Sequence, residues 1–177
     1  MAGKRPRFQA PFPCDQTWEA STYNGHWPNQ NSIDLARRDA DGNNVSRGEP
    51  VLASAHGIVT DVFTDSGGSN RIYVDHGEGW VTHYLHHDEV PTVSVGQFVA
   101  QGEKIGETGN TGTEAVHIHY TQLADNAAVR SAFDGVPIAT HAGNPDSIGS
   151  WGTDRAEEIT SRNCPDRSLR VMGVFRE

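Results

Sequence analysis

The sequence predicts an all-β protein: a single-domain antiparallel β core with little helix. Its 177 residues suffice for one domain that buries its own core. The 19 glycines and 9 prolines suit many short strands joined by tight turns. From residue 51 onward, apolar and β-branched runs of strand length alternate with turn residues, whereas stretches with helical period are scarce.

The predicted strands follow one another along the middle of the chain. They are SIDLA (32–36), VLASAHGIVTDVF (51–63), RIYVDH (71–76), WVTHYLHH (80–87) and HIHYTQL (117–123), with hairpin turns at DSGGSN (65–70) and GEG (77–79). Two segments could form short helices: NAAVRSAF (126–133), and TDRAEEITSR (153–162), in which Thr153 resembles an N-cap residue.

The chain divides into three predicted parts. Residues 1–13 are basic and proline-punctuated, which predicts a flexible N-terminal segment. Residues 14–141 contain the predicted strands, and residues 142–177 form a C-terminal extension whose structure the sequence does not indicate. We interpret Cys14 and Cys164 as a disulfide that ties this extension back; two free buried thiols are the alternative, and the spacing is not that of a CxxC redox motif.

The cysteines and the N-terminus point to different compartments. A disulfide indicates an oxidising compartment, which predicts a secreted or cell-wall-associated protein. The basic start, MAGKRPRFQAPF, lacks the apolar stretch of a signal peptide. A processed form, export by another route and an intracellular protein are therefore all compatible with the sequence.

Charge and hydropathy exclude several classes of partner. The formal net charge is −9, so the chain lacks the basic footprint of a nucleic-acid-binding protein and is not attracted to anionic surfaces. No apolar run approaches the roughly 20 residues of a membrane-spanning helix. We expect a monomer without nucleic-acid or membrane-spanning functions.

Two histidines and one aspartate stand out in strand-like surroundings. Residues two apart in a strand face the same side, so His117 and His119 are predicted to share one face. Asp34 lies between Ile33 and Leu35, where a carboxylate is costly unless it is paired or bound to a metal ion. Two imidazoles and one carboxylate form a common catalytic zinc site. Taken singly, His117 and His119 also fit a polar strand face at a sheet edge, and Asp34 also fits a residue that caps a turn.

The remaining histidines carry weaker signals. Strand alternation places His83 and His87 on one face, where they are interpreted as a solvated strand end, and His86 on the other face with Tyr84. His56 and His76 adjoin glycines and are interpreted as surface residues, and His141 gives no signal. If His119 binds a metal ion, His117 beside it and His86 from a neighbouring strand can act as non-ligand groups in catalysis.

The order of these motifs resembles that of the lysostaphin/LytM-type zinc endopeptidases, which cleave peptide bonds in bacterial peptidoglycan. The resemblance extends over residues 25–122 and rests on His26, Asp34, YLH (84–86), GETGNTG (106–112) and HIH (117–119). The segments PVLASAHGIVTDV (50–62) and VSVGQFVAQGEKIGETGNTG (93–112) also resemble those of the family. The resemblance implies an antiparallel β core with a loop-walled groove, so that residues 14–141 form the catalytic domain.

The resemblance also implies a role for each site residue. His26, Asp34 and His119 match the zinc ligands, and His86 and His117 match the two catalytic histidines. His117 is expected to act as base for the attacking water and His86 to stabilise or protonate the tetrahedral intermediate, although the reverse division is also possible.

Three features depart from the family pattern. His26 and Asp34 are eight residues apart, which is similar to the longer spacing of the LasA type rather than to HxxxD. Val116 stands where the family usually has proline, and the chain after residue 122 is too short for a typical wall-binding module. Groove width depends on loops such as 37–48, so the cleaved bond, glycine–glycine or a D-amino-acid cross-link, stays open.

Parts of the sequence also fit two other functions. A metal-free family member that regulates or activates another cell-wall hydrolase is the alternative, and it is disfavoured because all five site residues are present. A lipoyl- or biotinyl-carrier domain needs a modifiable lysine at a hairpin tip, and Lys104 lies near a predicted strand instead. The sequence therefore predicts a zinc-dependent peptidoglycan endopeptidase.

Overall fold

The computed structural model describes residues 1–23, 25–89, 91–138 and 157–164. These residues form thirteen β-strands and no helix, and all the strand pairs are antiparallel. The predicted all-β antiparallel fold is thus confirmed. No helix that could cross a membrane is present among the described residues.

The strands are numbered in chain order. They are β1 (Thr17–Ser21), β2 (Ile33–Ala36), β3 (Pro50–Leu52), β4 (Gly57–Thr64), β5 (Asn70–Asp75), β6 (Trp80–Leu85), β7 (Phe98–Val99), β8 (Lys104–Glu107), β9 (Ile118–Ala124), β10 (Ala127–Val129), β11 (Ala132–Phe133), β12 (Val136–Pro137) and β13 (Glu157–Thr160).

One nine-stranded sheet dominates the fold. Its order is β13-β1-β2-β9-β6-β5-β4-β7, and β10 pairs with β9 outside this path. Two separate ladders, β3–β8 and β11–β12, complete the described structure. Strand β9 therefore lies between β2 and β6, which brings together residues that are far apart in the sequence.

The two faces of the sheet have different chemistry because side chains alternate along each strand. One face carries buried apolar residues such as Ile33, Ile72, Tyr84 and Tyr120, all at most 1% exposed. Burial of each such side chain contributes about 1.5–3 kcal/mol to folding. We call the opposite face, which carries Asp34 and its register partner His119, the polar face.

The N-terminal segment requires a correction. Phe8 and Phe12 are fully buried in the core, and the ring of Phe12 stacks on Trp18 with centroids 4.7 Å apart. Buried aromatic side chains are not those of a flexible segment, so the expectation for residues 1–13 is wrong at residues 8–12. The three-part division of the chain stays a prediction.

The C-terminal end of the described chain returns to the main sheet. Strand β13 pairs with β1, with Trp18 opposite Ile159, and Cys14 forms a disulfide with Cys164 as the sequence predicted. The helix expected over residues 153–162 is wrong at β13, since pairing with β1 overrides local propensity. Residues 139–156, which include His141 and Thr153, and residues 165–177 lie outside the described residues.

The short helix expected over residues 126–133 is also absent. Asp125 and Asn126 have φ angles of 49° and 63°, in the left-handed region that suits a two-residue hairpin turn. The chain therefore reverses, and Ala127 pairs with Ala124 of β9. Turn chemistry at Asp125 and Asn126 prevails over the helical spacing of the apolar residues.

Candidate metal centre

Three strands place the candidate site on the polar face of the sheet. Asp34 of β2 pairs directly with His119 of β9, and His119 pairs on its other side with Leu85, the last residue of β6. His86 follows Leu85, and His117 precedes β9 by one residue. His26 comes from the loop between β1 and β2. All five predicted site residues thus meet around β9.

Three of these side chains converge on one point. His26 Nε2 lies 3.1 Å from His119 Nδ1 and 3.2 Å from Asp34 Oδ1. His119 Nδ1 also lies 3.2 Å from Asp34 Oδ1. All three residues are buried, at 2–5% exposure. Two ring nitrogens and a carboxylate oxygen therefore form a nearly equilateral triangle.

This triangle fits a tetrahedral metal ion. Nitrogen and oxygen ligands about 2.0–2.2 Å from a tetrahedral Zn²⁺ lie about 3.3–3.6 Å from each other. The observed separations of 3.1–3.2 Å approach that range, so small side-chain shifts would suffice. Asp34 Oδ1 is buried, and its contacts at 3.2–3.4 Å are with ring nitrogens of His26, His117 and His119. The atoms of His26, Asp34 and His119 thus suit a divalent cation with one position open.

A hydroxyl group orients the His26 ring. Thr22 Oγ1 lies 2.9 Å from His26 Nδ1 and 3.0 Å from the carbonyl oxygen of Ser32. The carbonyl only accepts, so the Thr22 hydroxyl donates to Ser32 and accepts from the Nδ1–H of His26. The lone pair of His26 is then on Nε2, the atom in the triangle. Metal-binding histidines usually donate their other ring N–H to an acceptor, and the Thr22 hydroxyl is that acceptor for His26.

Replacement of Thr22 with valine is expected to weaken metal binding about 10- to 100-fold, because the shape is kept and the acceptor for His26 Nδ1–H is lost. Competition with a zinc chelator would measure the change in Kd. Thr121→Val is the matched control, since Thr121 is equally buried and its hydroxyl is hydrogen-bonded to Ser32 Oγ at 2.6 Å and to no histidine among the described residues. Equal Kd values for the two variants would contradict this role for Thr22.

The other two histidines border the triangle. His117 Nε2 lies 3.4 Å from Asp34 Oδ1, and its Nδ1 donates to the carbonyl oxygen of Ala115 at 2.9 Å. His86 Nδ1 donates to the carbonyl oxygen of Thr111 at 2.7 Å and also lies 3.2 Å from Ser69 Oγ. In both neutral rings Nε2 is therefore the proton acceptor.

The backbone turns His86 away from its predicted face. Strand alternation placed His86 with Tyr84 on the core face, which is wrong. Strand β6 ends at Leu85, and His86 has a φ of 70°, a left-handed conformation that is uncommon outside glycine. Its ring consequently lies 4.8 Å from the His117 ring and 5.8 Å from the His119 ring, between centroids.

The charges of the centre are coupled. Burial acts to raise the pKa of Asp34, but the charge of His117 and the close polar contacts with the rings of His117, His119 and His26 hold that pKa well below its usual value. Burial acts to lower the pKa of His117, and the charge of Asp34 and its hydrogen bond raise it instead. Burial and the charge of His117 lower the pKa of His86 to about 4. Asp34 therefore stays ionised, and His86 stays neutral near pH 7.

Sequence reasoning missed several residues that hold this site. Nothing in the spacing singles out Thr22, Ser69 or Thr111, because each acts through one hydrogen bond to a histidine. His83 and His87 were interpreted as solvated, which is wrong. His87 is 1% exposed, and His83 is half-buried against another ring.

The long spacing between His26 and Asp34 has a structural consequence. Gly25, His26 and residues 28–31 line an open pocket of about 450 Å³, and Ala128 of β10 also contributes to its lining. Asn31 Nδ2 donates to the carbonyl oxygen of Ala128 at 2.9 Å and ties the loop to β10. Tyr23 stacks on the His26 ring, with centroids 4.4 Å apart. The loop residues between His26 and Asp34 therefore line a pocket that adjoins the metal centre at His26.

Comparison of sequences relates the chain to known peptidases. The sequence model described as "Peptidase family M23" matches residues 41–131, which include His86, His117 and His119. Peptidoglycan DD-endopeptidase ShyA of Vibrio cholerae is 32% identical over 94 residues, 52% of this chain and 22% of that protein. Lysostaphin of Staphylococcus simulans is 30% identical over 145 residues, 73% of this chain and 29% of lysostaphin. The match thus spans less than a third of either relative.

Solved structures share the fold. A zinc-containing peptidase from Vibrio cholerae superposes with a TM-score of 0.54 at 26% identity, over 70% of this chain and 39% of that one. Pseudoalterin, an M23 metalloprotease from the deep sea, superposes with a TM-score of 0.59 at 16% identity, over 90% of this chain and 97% of that one. The predicted lysostaphin-type fold is confirmed by these similarities.

Proposed function

Because the chain belongs to peptidase family M23, we propose that it is a zinc-dependent endopeptidase that hydrolyses peptide bonds in bacterial peptidoglycan. One observation carries the proposal: Asp34 Oδ1 lies 3.2–3.4 Å from a nitrogen atom of His26, His117 and His119. Three buried imidazoles around one carboxylate supply both metal ligands and groups for proton transfer.

His26 Nε2, Asp34 Oδ1 and His119 Nδ1 are the atoms that would hold the ion. Zinc bound there would lower the pKa of a water molecule and polarise the carbonyl group of the scissile peptide bond. Thr22 fixes the tautomer of His26 through Nδ1. Register pairing with β2 and β6 fixes His119, so the ligands sit on a rigid part of the sheet.

The two remaining histidines move protons. His117 Nε2 accepts the proton of the attacking water, since it is the atom 3.4 Å from the ligand oxygen Asp34 Oδ1. The ring of His86 is held through Nδ1 by Thr111, and its centroid lies 4.8 Å from that of His117. Once it has taken up a proton on Nε2, His86 would stabilise or protonate the tetrahedral intermediate. The same geometry allows the reverse division, because both rings carry their proton on Nδ1.

The name of one relative supports peptidoglycan as the substrate. The name of peptidoglycan DD-endopeptidase ShyA states a cell-wall substrate, and ShyA matches over 52% of this chain. A peptidoglycan substrate and the Cys14–Cys164 disulfide together favour a secreted or cell-wall-associated protein. A monomeric state stays a prediction.

Digestion of purified peptidoglycan tests the function and identifies the bond. We expect the zinc-loaded protein to release peptide fragments, and their masses to show whether a glycine–glycine bond or a D-amino-acid cross-link is cleaved. Sacculi with and without glycine bridges are compared in parallel. If the protein binds one equivalent of zinc but releases no fragments from any wall type, the proposed endopeptidase function is overturned. That result would favour a non-catalytic family member that activates another cell-wall hydrolase.

A further inference from the structure

Two aromatic rings lie next to the metal centre without a role in the proposed chemistry. Tyr73 of β5 and His83 of β6 are directly opposite in the register of the two strands. Their rings stack, with centroids 3.5 Å apart and an angle of 15° between the ring planes. Both side chains are half-buried. The pair thus forms a flat, partly accessible feature of the polar face.

The polar atoms of this pair are available to a ligand. Neither the Tyr73 hydroxyl nor a ring nitrogen of His83 forms a hydrogen bond to any residue that the structure describes. In a face-to-face stack each ring covers one face of the other, so the pair presents ring edges. Those edges carry the hydroxyl group of Tyr73 and the imidazole nitrogens of His83, which donate and accept hydrogen bonds.

The pair is uncharged. Burial, followed by the charges of His119 and Arg71, lowers the pKa of His83 to about 4, so the ring is neutral near pH 7. The neighbouring Arg71 forms an ion pair with Asp65. Asp61 of β4 lies directly opposite Tyr73 and acts to raise the pKa of His83. The surroundings of the pair therefore do not attract a carboxylate, and hydrogen bonding to neutral groups is the chemistry that the pair offers.

The register sets the distance from the metal centre. Leu85 lies opposite His119, and His83 precedes Leu85 by two residues, so His83 and His119 are diagonal neighbours on one face. Diagonal neighbours in an antiparallel pair are about 7–8 Å apart. An extended peptide advances about 3.3 Å per residue, so this distance corresponds to about two residues.

We propose that Tyr73 and His83 form a substrate subsite that hydrogen-bonds a peptide group of the peptidoglycan peptide about two residues from the scissile bond. The subsite rests on the endopeptidase function proposed above. It adds two specificity-determining residues that touch neither the metal ion nor the reacting atoms. If the subsite binds a peptide group there, a good substrate must extend about two residues from the scissile bond on the side that faces Tyr73 and His83.

Kinetics of three variants test the subsite. His83→Phe keeps a flat ring in the stack and removes its polar atoms, and Tyr73→Phe removes one oxygen atom. His56→Phe is the control, because His56 is an exposed histidine outside the polar face. The substrate is a cross-linked muropeptide that the zinc-loaded protein cleaves. KM is expected to rise about 2- to 10-fold in the first two variants, the effect of one neutral hydrogen bond, with kcat and zinc content unchanged.

Substrate length gives a second readout. On a muropeptide trimmed so that no residue reaches the subsite, wild type and His83→Phe are expected to have equal KM values. Two outcomes would overturn the subsite. One is a KM of His83→Phe on the long substrate equal to that of wild type, and the other is an equal rise in its KM on the long and the trimmed substrates. Thermal unfolding of each variant separates loss of folding from loss of binding.

Failure of the endopeptidase function is distinguishable from failure of the subsite. If the zinc-loaded protein cleaves no muropeptide, calorimetry measures binding of the same muropeptide to wild type and to His83→Phe. A Kd about 2- to 10-fold weaker for the variant supports the subsite without catalysis. Equal Kd values, or binding to neither protein, would overturn it.

Discussion

Replacing His119 with alanine is expected to remove both the bound zinc and the hydrolytic activity. His119 Nδ1 lies 3.1 Å from His26 Nε2 and 3.2 Å from Asp34 Oδ1, so its loss leaves two of three protein ligands. A catalytic zinc site needs three protein ligands to hold the ion and leave one position for water. Metal analysis of the purified variant, together with fragment release from peptidoglycan, measures both losses.

His56→Ala is the control for the loss of an imidazole, because the His56 side chain is exposed and outside the site. It should keep one equivalent of zinc and full activity. A His119→Ala protein that is folded and still holds one equivalent of zinc would show that His119 is not a ligand. The circular dichroism of both variants verifies the β-sheet content.

Replacing His117 with alanine is expected to lower turnover by about 10²- to 10⁴-fold, the usual contribution of a general base, and to leave the zinc in place. His117 Nε2 contacts Asp34 Oδ1 at 3.4 Å from outside the triangle of ligand atoms. The same separation of effects is expected for His86→Ala, because the backbone of Thr111 and the hydroxyl of Ser69 hold His86 apart from the ligands. Zinc content and kcat, measured on the same preparation, distinguish these roles.

A variant at His117 or His86 that loses its zinc would reverse the assignment of ligands and proton-transfer groups. The structure would explain such a result, because His86, His117 and His119 are a second group of residues whose potential ligand atoms lie within 4.8 Å of one another. The distances favour the first assignment. The three ligand atoms of His26, Asp34 and His119 lie 3.1–3.2 Å apart, close to the separation of ligands on one tetrahedral ion.

Strand periodicity predicted part of the site for a simple physical reason. In HIH (117–119) the two-residue spacing places both rings on one face, and both reach Asp34 Oδ1 in the structure. Asp34 was conspicuous because a carboxylate in an apolar strand needs a partner. Local pattern and tertiary structure agree here, since β2 and β9 are regular and pair in the expected antiparallel way.

Periodicity failed where the backbone leaves the strand. The position of His86 depends on a single left-handed residue at the end of β6, which alternation cannot predict. Thr22 supports His26 through one hydrogen bond, and hydroxyl residues are too common for this role to be recognised in a sequence. The burial of Phe8 and Phe12 depends on contacts with β-strands that come later in the chain, as does the return of β13 to β1.

Zinc titration of the metal-stripped protein tests the central claim, that one metal ion held by His26, Asp34 and His119 supports hydrolysis by His117 and His86. Peptidoglycan fragment release is measured against zinc added per protein. We expect no activity without metal and a linear rise that reaches its plateau at one equivalent. Activity in the fully stripped protein, or its absence when one equivalent is bound, would contradict the account.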